Sequence, residues 1–194
     1  MQELAHGWKD DPETLPLLKD LARLDEQGFV RWAAVRELAR GWKDNPETLP
    51  WLKDRARSDE HGDVRQVAVR ELAHGWKDDP ETLPLLKDSA RSDENESVRE
   101  TAVRELARGW KNDPETLPLL KGRARSDGNW WVRQAAVQEL ARGWKDDPET
   151  LPLLQDRARS DESFNVRRVA AQELARGWKD DPETRAFLEE HRQA

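Results

Sequence analysis

The sequence predicts an all-α protein, a right-handed α-solenoid of stacked helical hairpins with a 34-residue repeat. Three observations predict it. Tryptophan recurs at 8, 42, 76, 110, 144 and 178, at intervals of 34, each inside a Gly-Trp-Lys triplet and each soon followed by Pro-Glu-Thr. A period of that size is the signature of stacked supersecondary units. Within each period the apolar residues fall at helical spacings of 3 and 4, and no period-2 run suggests a strand. Mean hydropathy is -1.03 with 38% charged residues, which suits a thin solenoid whose helices each bury one stripe.

Residues 44–76 serve as the sample unit. Asn45-Pro46-Glu47-Thr48 reads as a helix start, with a cap oxygen from Asn45, Pro46 at the first helical position and Glu47 facing the positive dipole end. Pro50 predicts that this first turn is broken or 3₁₀-like. Leu49, Leu52 and Ala56 then share the face of a first helix, helix A, ending near Ser58. Asp59-Glu60-His61-Gly62 is the turn. Val64, Ala68, Val69, Leu72 and Ala73 line the second, helix B, with Gly75 as the expected C-cap and Trp76 just beyond it.

Residues 1–8 read as a partial helix B, 9–178 as five repeats and 179–194 as a C-terminal capping helix, together one cooperative body. In the cap, Thr184-Arg185-Ala186-Phe187-Leu188-Glu189-Glu190-His191 replaces the Leu-Pro-Leu-Leu helix with a more charged one. The N-terminal side has no comparable cap and is expected to be sticky or frayed, as in a fragment of a longer array.

Tetratricopeptide repeats share the 34-residue length, but their Trp-Leu-Gly-Tyr and Ala-Phe pattern is missing and the chain has no Tyr. The stretch Asp59-x4-Val64-Arg65-x2-Ala68-Val69-x2-Leu72 instead resembles the HEAT repeat. Within that group the chain is most similar to the short HEAT-like repeats named after phycobilisome lyases. There a helix beginning Asp-Pro-x-x-x-Pro-x-Leu precedes Asp-x-x-x-x-Val-Arg-x-x-Ala-Ala; here the first half reads Asp79-Pro80-Glu81-Thr82-Leu83-Pro84-Leu85-Leu86. The resemblance covers essentially the whole chain. It implies that helix B lines a concave surface. It also implies that Asp25, Asp59, Asp93, Asp127 and Asp161 form a ladder with Arg31, Arg65, Arg99, Arg133 and Arg167 tying adjacent units. The family serves many roles, so the fold alone does not assign one.

Composition excludes several functions. A net charge of -7 disfavours nucleic acid and anionic membranes. With no cysteine there is no disulfide framework, thiolate site or cysteine nucleophile. No apolar run approaches the ~20 residues of a membrane span, and the first residues do not form a signal peptide; a cytoplasmic location is expected. His6, His61, His74 and His191 form no metal set, and the Lys-Asp-Asp-Pro-Glu turns lack the alternating ligands and central Gly of a calcium loop. No catalytic set, cofactor loop or metal site emerges, so the chain reads as a non-enzyme without cofactors. The six invariant tryptophans read as structural, each covering the joint with the next unit. Burying one stabilises by up to ~5 kcal/mol on roughly 200 Å².

The columns that vary between units carry the functional reading. Before Val-Arg the units read Gln27-Gly28-Phe29, His61-Gly62-Asp63, Asn95-Glu96-Ser97, Asn129-Trp130-Trp131 and Ser163-Phe164-Asn165. After it they read Trp32-Ala33, Gln66-Val67, Glu100-Thr101, Gln134-Ala135 and Arg168-Val169. Their spacing predicts one solvent-facing side of helix B. Drift at exposed positions would leave mostly polar residues; instead Phe29, Trp32, Trp130, Trp131 and Phe164 are large aromatics suited to anchoring a partner. One turn onward run Arg36, Arg70 and Arg104, then Gln138 and Gln172, and beyond them Arg40, His74, Arg108, Arg142 and Arg176, predicting a basic groove. The expected function is recognition of a protein or peptide, an acidic one fitting best, through Phe29, Trp32, Arg36, Arg70, Arg104, Trp130, Trp131, Gln134, Phe164 and Arg168. The alternative is a self-assembling module stacking end to end through its N-terminal face.

Overall fold

The structure, a computed structural model, describes residues 11–190, which contain eleven α-helices and no strand. The A helices are α1 (Thr14–Leu24), α3 (Thr48–Ser58), α5 (Thr82–Ser92), α7 (Thr116–Ser126), α9 (Thr150–Ser160) and α11 (Pro182–Glu190). The B helices are α2 (Gly28–Gly41), α4 (Gly62–Gly75), α6 (Glu96–Gly109), α8 (Trp130–Gly143) and α10 (Phe164–Gly177). The partial helix B expected over residues 1–8 lies outside the described residues, as do His6 and His191.

The chain divides into two compact units, Met1–Glu105 and Leu106–Ala194, with the division inside α6. In each unit an A helix packs on the B helix that follows it, B helices pack on B and A helices on A. The repeat places one fully buried leucine in every described helix of the interior: Leu18, Leu52, Leu86, Leu120 and Leu154 in the A helices, and Leu38, Leu72, Leu106, Leu140 and Leu174 in the B helices. Each contributes on the order of 2–3 kcal/mol by its burial. Ala34, Ala68, Ala102, Ala136 and Ala170 are buried beside them and keep the helices close.

Helix A begins later than the sequence suggested. Its first helical residue is Thr48, Thr82, Thr116 or Thr150, and the Asx-Pro-Glu before it is a separate turn. The Asn45 or Asp79 carboxamide or carboxylate does accept a backbone N–H, that of Glu47 at 2.9 Å or Glu81 at 3.0 Å. Pro50 therefore stands at the third helical position, where an N–H would have no intrahelical acceptor, so the helix is not broken. Trp51 N–H makes the first regular bond, to Glu47 O at 3.2 Å. The threonine is buried, and Thr48 Oγ1 donates to Trp42 O at 2.7 Å, closing the turn.

Helix B also ends differently. Gly75, the expected C-cap, is the last helical residue instead and has no positive φ, and Trp76 is the cap. The helical ladder runs one residue further, Trp76 N–H donating to Leu72 O at 2.9 Å. The tryptophans then sit half-buried at the C-cap, and a lysine of the preceding repeat lies over the rings of Trp76, Trp144 and Trp178, Nζ to centroid 5.9, 5.9 and 5.7 Å.

Candidate functional site

Two ladders of charge hold the B helices in register and decide which cations remain for a ligand. The first is the Asp–Arg ladder. Arg65 donates Nε and Nη2 to Asp93 at 2.9 and 2.8 Å, and Arg133 does the same to Asp161 at 3.0 and 2.9 Å. Arg31 breaks the pattern. Its Nη1 donates to Asp25 O, its Nε is buried without a partner, and Asp59 is held instead by Arg55 Nη1 at 3.1 Å.

The second ladder was not legible as one. Glu37, Glu71, Glu105, Glu139 and Glu173 are buried. Arg40 donates Nε and Nη2 to Glu71 at 3.1 and 3.0 Å, His74 Nε2 lies 3.0 Å from Glu105, and Arg108 and Arg142 reach Glu139 and Glu173 at 3.4 and 3.2 Å. The hydrogen bond that Arg40 donates to Glu71 holds its guanidinium above its ordinary pKa despite its partial burial. This corrects the expectation that the row Arg40, His74, Arg108, Arg142 and Arg176 makes a basic groove: each faces a buried glutamate, Arg176 pairing with Glu173 at 3.3 Å. The glutamates alternate with the core residues along helix B, which is the signal a column-by-column reading could have used.

The varying face is also narrower than expected. The first residue after Val-Arg reaches solvent, but from the second repeat on the next one does not: Val67 and Ala135 are fully buried, Thr101 and Val169 nearly so, and Ala33 alone is half-buried. That column faces the neighbouring B helix. Thr101 Oγ1 accepts from Gln66 Nε2 at 2.9 Å across that joint.

In the first unit Phe29 is 70% exposed at the start of α2. Trp32, one turn on, is half-buried, with the Arg36 guanidinium carbon 4.6 Å and that of Arg70 5.8 Å from its ring centroid. Arg36 also donates to buried Glu37 at 2.9 Å, and Arg104 pairs with Glu100. Leu24, 69% exposed, adds an apolar side chain that the sequence reading missed; its column is Ser58, Ser92, Ser126 and Ser160 elsewhere, a contrast that was there to be seen.

In the second unit Trp130 and Trp131 open α8, their rings stacked at 5.7 Å and 7° and still 38% and 53% exposed. Asn129 caps that helix, its Oδ1 accepting Trp131 N–H at 2.8 Å. Phe164, 66% exposed, opens α10 with the Arg167 guanidinium 6.0 Å from its ring. Arg168 is exposed and Gln134 half-buried beside this helix-opening cluster. Among the described residues no cluster of three or more His, Asp or Glu is placed to hold a metal, and no helix is long and apolar enough to cross a membrane.

Fold and ladders together define a tandem α-helical repeat protein. Sequence comparison makes the class specific: the HEAT repeats model matches residues 2–73, 49–141 and 123–194, and the chain belongs to the HEAT-repeat family. No curated protein matches it. Two solved structures share the fold. The complex of CpcE and CpcF of phycocyanin lyase from Nostoc sp. PCC7120 superposes with a TM-score of 0.61 at 21% identity, over 84% of this chain and 99% of that one. The E. coli protein YibA does so with a TM-score of 0.57 at 17% identity, over 97% of this chain and 71% of that one.

Proposed function

We propose that the chain is a non-catalytic scaffold recognising a protein or peptide through the exposed starts of its B helices. One observation carries this reading. Among the described residues six large apolar side chains are exposed, and four of them, Phe29, Trp130, Trp131 and Phe164, fall in the three residues that vary at the start of helix B. The other two, Leu17 and Leu24, both stand in α1, so exposed rings concentrated at the varying positions favour selection for contact over drift. The solved CpcE–CpcF structure is itself a complex of two proteins, in keeping with a protein partner.

End-to-end assembly is the weaker reading. Lys53 and Lys121 bind the turn carboxylates of the next repeat, Asp79 at 2.7 Å and Asp147 at 2.7 Å. In α11 the same column carries Glu189, which would repel the acidic turn of a second copy.

The experiment is selection of random 12-residue peptides displayed on phage, on the whole chain and on a Phe29→Ser, Trp130→Ser, Trp131→Ser, Phe164→Ser variant. Enrichment on the native chain that is lost in a variant of equal melting temperature is the expected result. No enrichment, or equal enrichment on both, would sink the proposal.

A further inference from the structure

We propose that Arg70 is the acid receptor of the first unit: it takes one carboxylate or phosphate of a peptide whose neighbouring apolar group lies against Trp32 and Phe29. This rests on the peptide-recognition reading above and adds the charge it selects.

The row Arg36, Arg70 and Arg104 looks uniform in sequence, yet the structure separates its members. Arg36 gives Nε and Nη2 to Glu37 at 3.2 and 2.9 Å, and Arg104 gives Nε to Glu100, one helical turn before it. At the position equivalent to Glu100, Arg70 has Gln66, and the Gln66 amide is turned away to Thr101. Among the described residues no carboxylate lies within ion-pair distance of Arg70, and its guanidinium carbon lies 5.8 Å from the Trp32 ring centroid. A guanidinium held over an indole without a carboxylate partner keeps N–H donors for a carboxylate or phosphate, which it binds through two parallel hydrogen bonds. Phe29, three residues before Trp32 on the same helical face, supplies exposed apolar surface beside it. In a chain of net charge -7, a cation without an acid over the half-buried Trp32, with Phe29 exposed on the same helical face, is a complementary surface for an acidic residue next to an apolar one.

Arg70→Gln is a mild replacement, because Gln138 and Gln172 occupy the same column in later repeats. Phage-selected peptides whose binding is lost on Phe29→Ser, Trp32→Ser are synthesised with Asp, phosphoserine or Asn at the most enriched acidic position. Their binding to the whole chain, to Arg70→Gln and to Arg104→Gln is read by fluorescence anisotropy, with circular dichroism confirming the fold. On the native chain and on Arg104→Gln the acid form binds about tenfold tighter than the Asn form; on Arg70→Gln the difference vanishes. A larger gain for phosphoserine than for Asp identifies phosphate as the group read. An acid preference that survives Arg70→Gln, or no acidic enrichment among these peptides, overturns the assignment while the recognition reading stands. Binding that no aromatic replacement weakens overturns the recognition reading itself.

Discussion

Arg133 holds Asp161 with both arms of its guanidinium, Nε to Oδ2 at 3.0 Å and Nη2 to Oδ1 at 2.9 Å, while its Nη1 donates to the carbonyl of Asp127 at 2.8 Å. One buried side chain thus joins its own A–B turn to the turn of the next repeat. Both partners are almost wholly removed from water, so the pair fixes register without adding much net stability, and either half alone is costly.

Arg133→Met should therefore destabilise by about 3 kcal/mol, near the low end for a broken buried pair, because Arg157 Nη1 at 3.4 Å and the Ser163 N–H at 2.9 Å still serve Asp161. Arg31→Met should cost less than half as much, since Asp59 there depends on Arg55 rather than on Arg31. Urea unfolding of the two variants provides the comparison; equal losses would mean that Arg31 completes the ladder in solution.

Acid should weaken the fold through the same carboxylates. For Asp161, burial pushes the pKa up, but the Arg133 hydrogen bond, the Ser163 N–H and the charges of Arg133 and Arg157 outweigh it and hold the group below the ordinary 3.8. For Asp79 the Lys53 hydrogen bond is the largest influence and the direction is the same. A carboxylate that binds protons less readily when folded stabilises fully above its unfolded value. That contribution is lost as pH falls below 3.8 through the folded value. Unfolding free energy should fall steeply from about pH 4 downward, and Asp161→Asn, less stable at pH 7, should show a shallower acid slope. Parallel slopes would show that Asp161 is not among the groups responsible.

Much of this fold was legible in the chain. The end of helix A at Ser58 and the buried faces of Leu52 and Leu72 lie where the repeat pattern placed them, and Arg65 pairs with Asp93 of the next repeat as the resemblance to HEAT repeats implies. What failed did so for definable reasons. Helix starts were set at Pro46 because Pro is favoured at a first helical position, but the buried Thr48 closes the preceding turn and begins the helix instead. Gly75 is a C-cap candidate by residue type alone, whereas the backbone continues to Trp76, which takes that position. The site was half legible: the varying columns place exposed rings at Phe29, Trp131 and Phe164, but pairing of Arg36 with Glu37 and of Arg104 with Glu100 depends on side-chain reach that column spacing does not encode.

Gly122 offers a stabilising change. It sits mid-helix in α7, where the other repeats carry Asp20, Asp54, Asp88 and Asp156, and a Cβ there would meet nothing within 4 Å. Its φ is not positive, so alanine fits the backbone unstrained. Gly122→Ala should raise stability by about 1 kcal/mol, the interior helix difference between the two residues. Thermal melting gives the answer, and a lower melting temperature would contradict the open environment found around the site.

Gln134 and Ala135 test the width of the candidate face, because adjacent residues should respond oppositely. A single apolar stripe would leave both toward solvent. In a stacked repeat, however, helix B packs on its A helix and on neighbouring B helices, so its flanks are buried as well as its centre. Ala135 lies on such a flank and is fully buried, whereas Gln134 reaches the surface. Ala135→Asp would place an unpaired carboxylate between B helices and should cost several kcal/mol or prevent folding. Gln134→Asp should change stability by no more than about 0.5 kcal/mol. Denaturant melts of the two variants decide it: if both were tolerated, the recognition face would be twice as wide as the structure allows, and Val67 and Val169 would have to join it.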